Sequence, residues 1–418
     1  MIYQLGFDKE TINVEIPENN VMDVLHPRNM VLPESEFQII REALDNPIGT
    51  TSFKELFKPG EKIAIITSDI TRPCPSWKIL PSILSKLEAS GIQKDDITVI
   101  FALGSHRIHS REEMEKLVGK KIFSNYKCLN HEKDQCKRLG YTSKGTPVDL
   151  NKKVIEADRR ILVGNIEYHY FAGYSGGIKA LFPGVSSFEA IQANHSMMTM
   201  DGAIAGNLVN NPVRDDLEEI AQFIDIDMLI NVVLGPSKEI LKAFAGHYIL
   251  AHREGCRFLD SLYRIPVERA ADIVLVSAGG FPKDINIYQA QKALDNAVQA
   301  VRKGGVIIWV ASCREGYGSE VFQRWIEEST SPKDILRRVK DHFELGGHKA
   351  AAIMKAREKA HILFVSNLPP LYGETMFLNP FPSVEKALAE AFNICGKQST
   401  ILLMPFGGST LPDLLSAK

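Results

Sequence analysis

The sequence predicts an α/β protein of two domains, each built on a mainly parallel, doubly wound sheet. Three observations carry that prediction. Short apolar runs alternate with amphipathic segments along the chain, the pattern of strand–helix units whose parallel strands are buried on both faces. Several of those runs open into loops rich in glycine and polar side chains, which is where open parallel sheets place their sites. The length, 418 residues, exceeds what one ordinary core can organise. The expected division is 1–266, a cofactor-binding and catalytic domain, and 267–418, a second α/β domain, with the active site in the cleft between them. The tail after Pro405 could pack on either.

Residues 2–6 and 11–16 alternate in strand fashion and predict a hairpin that opens the first domain. After a polar segment with Pro27 and Pro33, residues 34–45 (ESEFQIIREALD) carry Phe37, Ile39, Ile40 and Leu44 at helical spacing. Residues 62–67 (KIAIIT) are a compact strand; Pro73 and Pro75 stop it and hold Arg72 and Cys74 extended. A helix over 76–90 follows. The next unit repeats the plan: a strand at 97–102 (ITVIFA), the loop Gly104-Ser105-His106-Arg107, and a helix announced by the capping box of Ser110 and Glu113. A third begins at 160–163 (RILV), enters a glycine-rich loop and leaves by a helix capped by Ser186 or Ser187. A helix at 211–224, a strand at 226–233 and a helix at 246–262 lead to a linker around Arg264-Ile265-Pro266. Beyond it, strands at 272–277, 305–311, 361–366 and 400–405 alternate with helices near 287–302, 318–327, 332–342, 348–359 and 383–393.

Charged residues at 24% and hydrophobic residues at 44% suit a globular protein. Forty-nine basic against fifty-one acidic residues leave a net charge of −2, which gives no support to nucleic acid or an anionic membrane as the main partner. The N-terminus lacks the apolar core of a signal peptide, and no apolar window is long enough to span a bilayer. Cys74, Cys128, Cys136, Cys256, Cys313 and Cys395 are scattered without CxxC spacing, which fits a reducing cytoplasm better than a disulfide framework or a zinc ribbon.

The chemistry concentrates in residues 164–195, where Gly164, Gly173, Gly176, Gly177 and Gly184 lie among Tyr168, His169, Tyr174, Ser175, Lys179 and His195. Glycine at this density lets the backbone approach a ligand closely. Polar residues fall just past three strands: Asp69 and Arg72, His106 and Arg107, then His169 and Lys179. In an open parallel sheet such ends face one crevice. His106 and His169 suit general acid/base work, and His195, near a helix end, suits a metal ligand or a partner of the helix terminus. His109, trailing into the helix cap, reads as a solvated loop histidine. Arg72 offers a forked donor for carboxylate or phosphate and Asp69 could orient it, whereas Arg107 reads as a surface ion pair. Gln289 and Lys292 share a helix face and could reach an anion. Lys179 could hold a phosphate or form a covalent bond. Neither a Walker A loop nor a G-x-G-x-x-G fingerprint is present. The residues alone leave open a histidine-ligated zinc hydrolase built on His106, His169, His195 and Asp69. They also leave open a non-catalytic binder of a phosphorylated nucleotide.

The stretches SDITRPCP, GSHR, EYHYFAGYSGGIKALFPG with Asn194-His195 beyond it, and GGFPKDINIYQAQK follow one another in an order that resembles the nickel-pincer lactate racemase family over nearly the whole chain. The resemblance implies a cofactor, a pyridinium mononucleotide with thioamide and thiocarboxylate arms, that holds nickel through sulfur, carbon and sulfur. By resemblance, Lys179 carries it through the thioamide and His195 supplies the fourth ligand, while Ser175, Gly176 and Gly177 line it. His106 and His169 match the acid/base pair, Asp69 and Arg72 a first-loop pair near cofactor and substrate, and Tyr288, Gln289 and Lys292 residues near the substrate carboxylate. The implied activity is inversion of C2 in lactate or another 2-hydroxy acid such as malate, by removal and return of hydride. The implied partners are the substrate and the proteins that synthesise the cofactor.

Overall fold

The structure, a computed structural model, describes residues 1–28, 30 and 35–415. Its contacts divide the chain into two compact units, residues 30–259 and residues 1–29 with 260–418. Both are α/β units on a six-stranded sheet.

In the unit of residues 30–259 the sheet runs Ile240–Gly246, Met228–Leu234, Arg159–Asn165, Ile63–Ser68, Ile97–Ala102, Lys127–Asn130. Its pairings are parallel except for the edge strand Ile240–Gly246. The strands form here because their residues are apolar on both faces. Ile63, Ile65, Val99, Phe101, Ile161 and Val163 pack with Ile79, Leu80, Ile83, Leu84 and Leu87 of the helix Ser76–Ala89. Ile66, Ile100 and Leu162 are buried on the opposite face. From Ile63–Ser68 the chain moves outward to Ile97–Ala102 and Lys127–Asn130, then returns to add Arg159–Asn165 on the other side. The reversal point therefore lies between Ile63–Ser68 and Arg159–Asn165, and at such a point the loops beyond the strands part and leave a crevice.

The expected capping residues are in place. Ser110 and Glu113 form the capping box of the helix Arg111–Val118. Ser187, not Ser186, caps Phe188–Ser196 by accepting from the N–H of Ala190. The helix expected at 34–45 spans Glu36–Asp45, and residue 34 lies outside the described residues. The strand Lys127–Asn130, the edge strand Ile240–Gly246 and the hairpin of Cys136–Tyr141 with Pro147–Asn151 had no counterpart among the expected elements.

In the other unit all strand pairings of the sheet are parallel, in the order Asn379–Phe381, Ala360–Val365, Val301–Val310, Ala271–Ser277, Ile401–Met404, Val21–Val24. One face, with Val274, Ile307, Trp309 and Met404, packs on the helices Ile287–Ala300 and Gly347–Lys359. The other, with Ile273, Leu275, Val306 and Ile308, packs on Val384–Cys395 and on Leu5, Val14 and Ile16. The N-terminal hairpin Ile2–Phe7 with Glu10–Glu15 thus belongs to this unit and not to the one that follows it in sequence. Arg264–Val267, expected as a linker, is a strand that pairs with Leu411–Leu414 and ties the tail into the same unit. Among the described residues no helix is long and apolar enough to cross a membrane.

Candidate active site

Arg159–Asn165, Ile63–Ser68 and Ile97–Ala102 are neighbours in one sheet, so the loops that leave their C-terminal ends sit side by side. In the first loop Asp69 is buried, and its Oδ2 accepts a hydrogen bond from His106 Nδ1 of the second loop. Its Oδ1 accepts from the Thr71 hydroxyl at 2.8 Å and the Thr71 N–H at 3.2 Å. Burial pushes the Asp69 carboxyl up, but the hydrogen bond and charge of His106 and the charge of Arg72 outweigh it and hold the group below its usual value. A carboxylate only accepts, so His106 Nδ1 is the donor and Nε2 is left to exchange protons. The His106 side chain is 44% exposed and can meet a ligand.

Two neighbours of this pair take other parts. Arg107 donates to both oxygens of Glu113, at 2.7 and 2.6 Å, and is the surface ion pair that its setting suggested. His109 corrects the sequence expectation: it is buried, packs edge-on against Phe101 and accepts from the N–H of Ile70 at 3.2 Å. It pins the Asp69 loop to the His106 loop.

The third loop begins as a tight hairpin in which Tyr168–His169 pairs with Gly173–Tyr174. Ser175 Oγ then ties the turn together, accepting from the N–H of Glu167 and donating to the carbonyl of Asn165, each at 2.8 Å. Gly176 and Gly177 have φ of +70° and +62°. A Cβ on Gly176 would stand 2.5 Å from Asn231 Oδ1, and one on Gly177 would stand 3.0 Å from the His252 ring. The loop is held from below: Gly177 N–H donates to Asn231 Oδ1 at 2.7 Å, and His252 Nε2 donates to the carbonyl of Ser175 at 2.9 Å.

Around the buried ring of Phe171 three expected residues converge. The rings of His169 and His195 meet it edge-on at 4.5 and 4.9 Å, and Lys179 Nζ lies 5.7 Å from its centre. Burial is the first cause that lowers the Lys179 ammonium well below the usual lysine range, and the positive charges of Arg214 and Arg72 add to it. His169 is lowered by burial and then by Lys179, Arg72, His195 and Arg214. Burial, with Lys179 and Arg72, takes His195 down to about 3. The two imidazoles are therefore uncharged at neutral pH, the form that ligates a metal or accepts a proton. The Lys179 ammonium gives up its proton more readily than an ordinary lysine, toward the amine that attacks a carbonyl carbon. Arg72, exposed in the first loop, is near enough to act on all three.

Arg214 is a residue that sequence reasoning missed. It is fully buried, donates through Nε and Nη2 to the carbonyl of Ala172 at 3.1 and 3.0 Å, and bonds that of Tyr174. Asn231 and His252 were missed as well. Asn231 left a signal, a polar residue inside the apolar strand MLINVVL. Tyr288, Gln289 and Lys292 belong to the other unit, on the helix Ile287–Ala300, where Gln289 and Lys292 are exposed and Lys349 Nζ stands 5.3 Å over the Tyr288 ring. A zinc hydrolase needs three or more protein ligands together, and the described residues hold no group of three His, Cys, Asp or Glu that could bind a metal.

Known proteins resemble this chain over nearly its whole length. The family model of the lactate racemase N-terminal domain matches residues 7–206, and that of the lactate racemase C-terminal domain matches residues 267–411. A lactate racemase of Thermoanaerobacterium thermosaccharolyticum is 32% identical over 420 residues, covering 98% of each chain. One of Lactiplantibacillus plantarum is 33% identical over 415 residues, covering 96% of this chain and 97% of its own. The lactate racemase apoprotein from T. thermosaccharolyticum matches with a TM-score of 0.92 over 99% of this chain and 100% of its own, at 32% identity. A Thermotoga maritima protein, 19% identical with a TM-score of 0.67, shares the fold alone. Matched at both ends by the family's domain models and along its length by two of its members, the chain belongs to the lactate racemase family.

Proposed function

We propose that this protein is a racemase that inverts C2 of lactate or a close 2-hydroxy acid such as malate, using a nickel-bearing pyridinium mononucleotide bonded to Lys179. The observation that carries the reading is the gathering of Lys179, His195 and His169 around Phe171, with burial pushing the lysine toward its uncharged form just after a glycine pair. The residues fit such a group. An uncharged Lys179 amine is the form that bonds to an acyl-type carbon. His195 offers a neutral imidazole whose Nε2 has no hydrogen-bond partner among the described residues. Softer sulfur and imidazole donors together suit nickel, and the absence of a Cβ at Gly176 and Gly177 lets the loop that carries Lys179 pack closely on Asn231 and His252. When bound, the group supplies a position that takes the C2 hydrogen with its electron pair and gives it back.

The chain's own residues then handle the hydroxyl proton. His106 donates through Nδ1 to Asp69 and so presents a bare Nε2, a base. His169 accepts at Nδ1 from the N–H of Ala172 at 3.3 Å, so its neutral ring carries the proton on Nε2, an acid. Inversion needs one of each in every turnover, and the two come from separate loops. Arg72 offers a forked donor for a carboxylate, and Tyr288, Gln289 and Lys292 are assigned to the substrate carboxylate on the family resemblance. We further propose a cytoplasmic setting, on six cysteines that are all unpaired, and the proteins that make the cofactor as partners.

The test uses protein from a cell that makes the cofactor, and C2-deuterated lactate. Interconversion of the enantiomers with the deuterium kept is expected, together with nickel in the protein and an adduct mass on Lys179 that Lys179→Ala loses. Rapid entry of solvent deuterium at C2 would refute hydride transfer, and full activity in Lys179→Ala would refute the attachment.

A further inference from the structure

The helix Phe188–Ser196 presents His195 together with the residue before it, and Asn194 is the more completely buried of the two. Its amide is not free to turn. Nδ2 donates to Asp216 Oδ2 at 2.8 Å and to the carbonyl of Val213 at 3.2 Å, both of which only accept. Asp216, itself fully buried, receives the Thr142 hydroxyl on its other oxygen. The amide nitrogen is thereby committed to that side, and Asn194 Oδ1 faces His195 Nδ1 at 3.1 Å. An amide oxygen can only accept, so the imidazole must donate.

From this we infer that Asn194, locked by Asp216 and Thr142, holds His195 in the tautomer protonated on Nδ1, so that Nε2 presents its lone pair to a metal. Without such a partner a neutral imidazole divides itself between two tautomers, and only one of them offers Nε2 as a ligand. Asn194 and Asp216 act here as positioning residues. Their part toward nickel rests on the function proposed above; the tautomer does not.

The chain without cofactor, labelled with ¹⁵N-histidine, gives a direct reading, with the His195 signals assigned by their loss in His195→Gln. Long-range proton–nitrogen correlations should show His195 protonated on Nδ1 and bare on Nε2. Asp216→Asn, nearly isosteric, frees the Asn194 amide to turn and should move His195 to a mixture of tautomers while the other histidine signals stay. Asn194→Leu should do the same. A wild-type His195 protonated on Nε2, or a signal unchanged in both variants, would overturn the inference. Nickel content after cofactor loading is the second readout. Asp216→Asn is expected to retain several-fold less than wild type. Full retention there, with the tautomer shifted, would overturn the part assigned toward the metal. Absence of nickel from loaded wild type would sink the functional reading and leave the tautomer standing.

Discussion

Asp69 shows how one buried carboxylate decides what a neighbouring histidine can do. Both of its oxygens are occupied, one by His106 and the other by Thr71. It therefore orients His106 and stabilises the ring when Nε2 takes a proton, the arrangement that makes histidine an effective base. Asp69→Asn keeps the shape but can turn an N–H toward Nδ1, which would move the ring proton to Nε2 and remove the base. On the proposed function, racemisation of lactate by the loaded variant should fall by at least about 10²-fold in both directions. Rates like wild type would take Asp69 out of the mechanism. Residue types and their spacing along the chain pointed to Asp69, His106, His169, Lys179 and His195 because each is a reactive group just beyond a strand or within the glycine loop. They could not point to Arg214 or His252, whose burial is set by packing between distant segments. They misjudged His109 because its partner, the Ile70 N–H, lies on another loop.

At the scale of elements, the loop between Arg159–Asn165 and Phe188–Ser196 depends on two kinds of local rule. Helix caps are one: Ser187 and Ser110 were readable because a cap needs only a side-chain oxygen and an N–H three residues on. The other is backbone that only glycine adopts without strain. Gly177 combines φ of +62° with a Cβ position 3.0 Å from the His252 ring, while its N–H bonds Asn231. Gly177→Ala should therefore cost on the order of 1–3 kcal/mol, against about 1 kcal/mol for Ser187→Ala. Urea unfolding of the two variants checks the ranking, and a neutral Gly177→Ala would show that the loop relaxes freely. Elements with no such local rule were missed. Lys127–Asn130 (KCLN) is a short edge strand of mixed polarity that is strand only because Ile97–Ala102 offers it a partner. Ile240–Gly246 forms by folding back antiparallel on Met228–Leu234, a pairing between segments that neither announces alone.

At the scale of the molecule, the alternation of apolar runs and helices made both sheets legible, since a parallel strand buried on two faces writes itself as a continuous apolar run. What it could not reveal is that the chain's first residues complete the sheet formed by its last. Val21–Val24 pairs with Ile401–Met404, and Leu5, Val14 and Ile16 are fully buried against Ile273, Leu275, Val306 and Ile308. Local pattern identifies a hairpin but carries no information on which sheet will cover its apolar face. Each of those three side chains contributes roughly 1.5–3 kcal/mol by burial, so a chain lacking residues 1–16 should lose on the order of 5 kcal/mol from the unit of residues 260–418. Hydrogen exchange localises the loss. Protection should fall in Ala271–Ser277, Val301–Val310 and Ile401–Met404, whose face would then be covered by the helix Val384–Cys395 without the hairpin, while Ile63–Ser68 and Ile97–Ala102, which draw their core from the helix Ser76–Ala89, keep theirs. If the truncation instead loosens Ile63–Ser68 first, the N-terminal residues stabilise the unit that follows them in sequence, and the division of the chain drawn from its contacts is wrong.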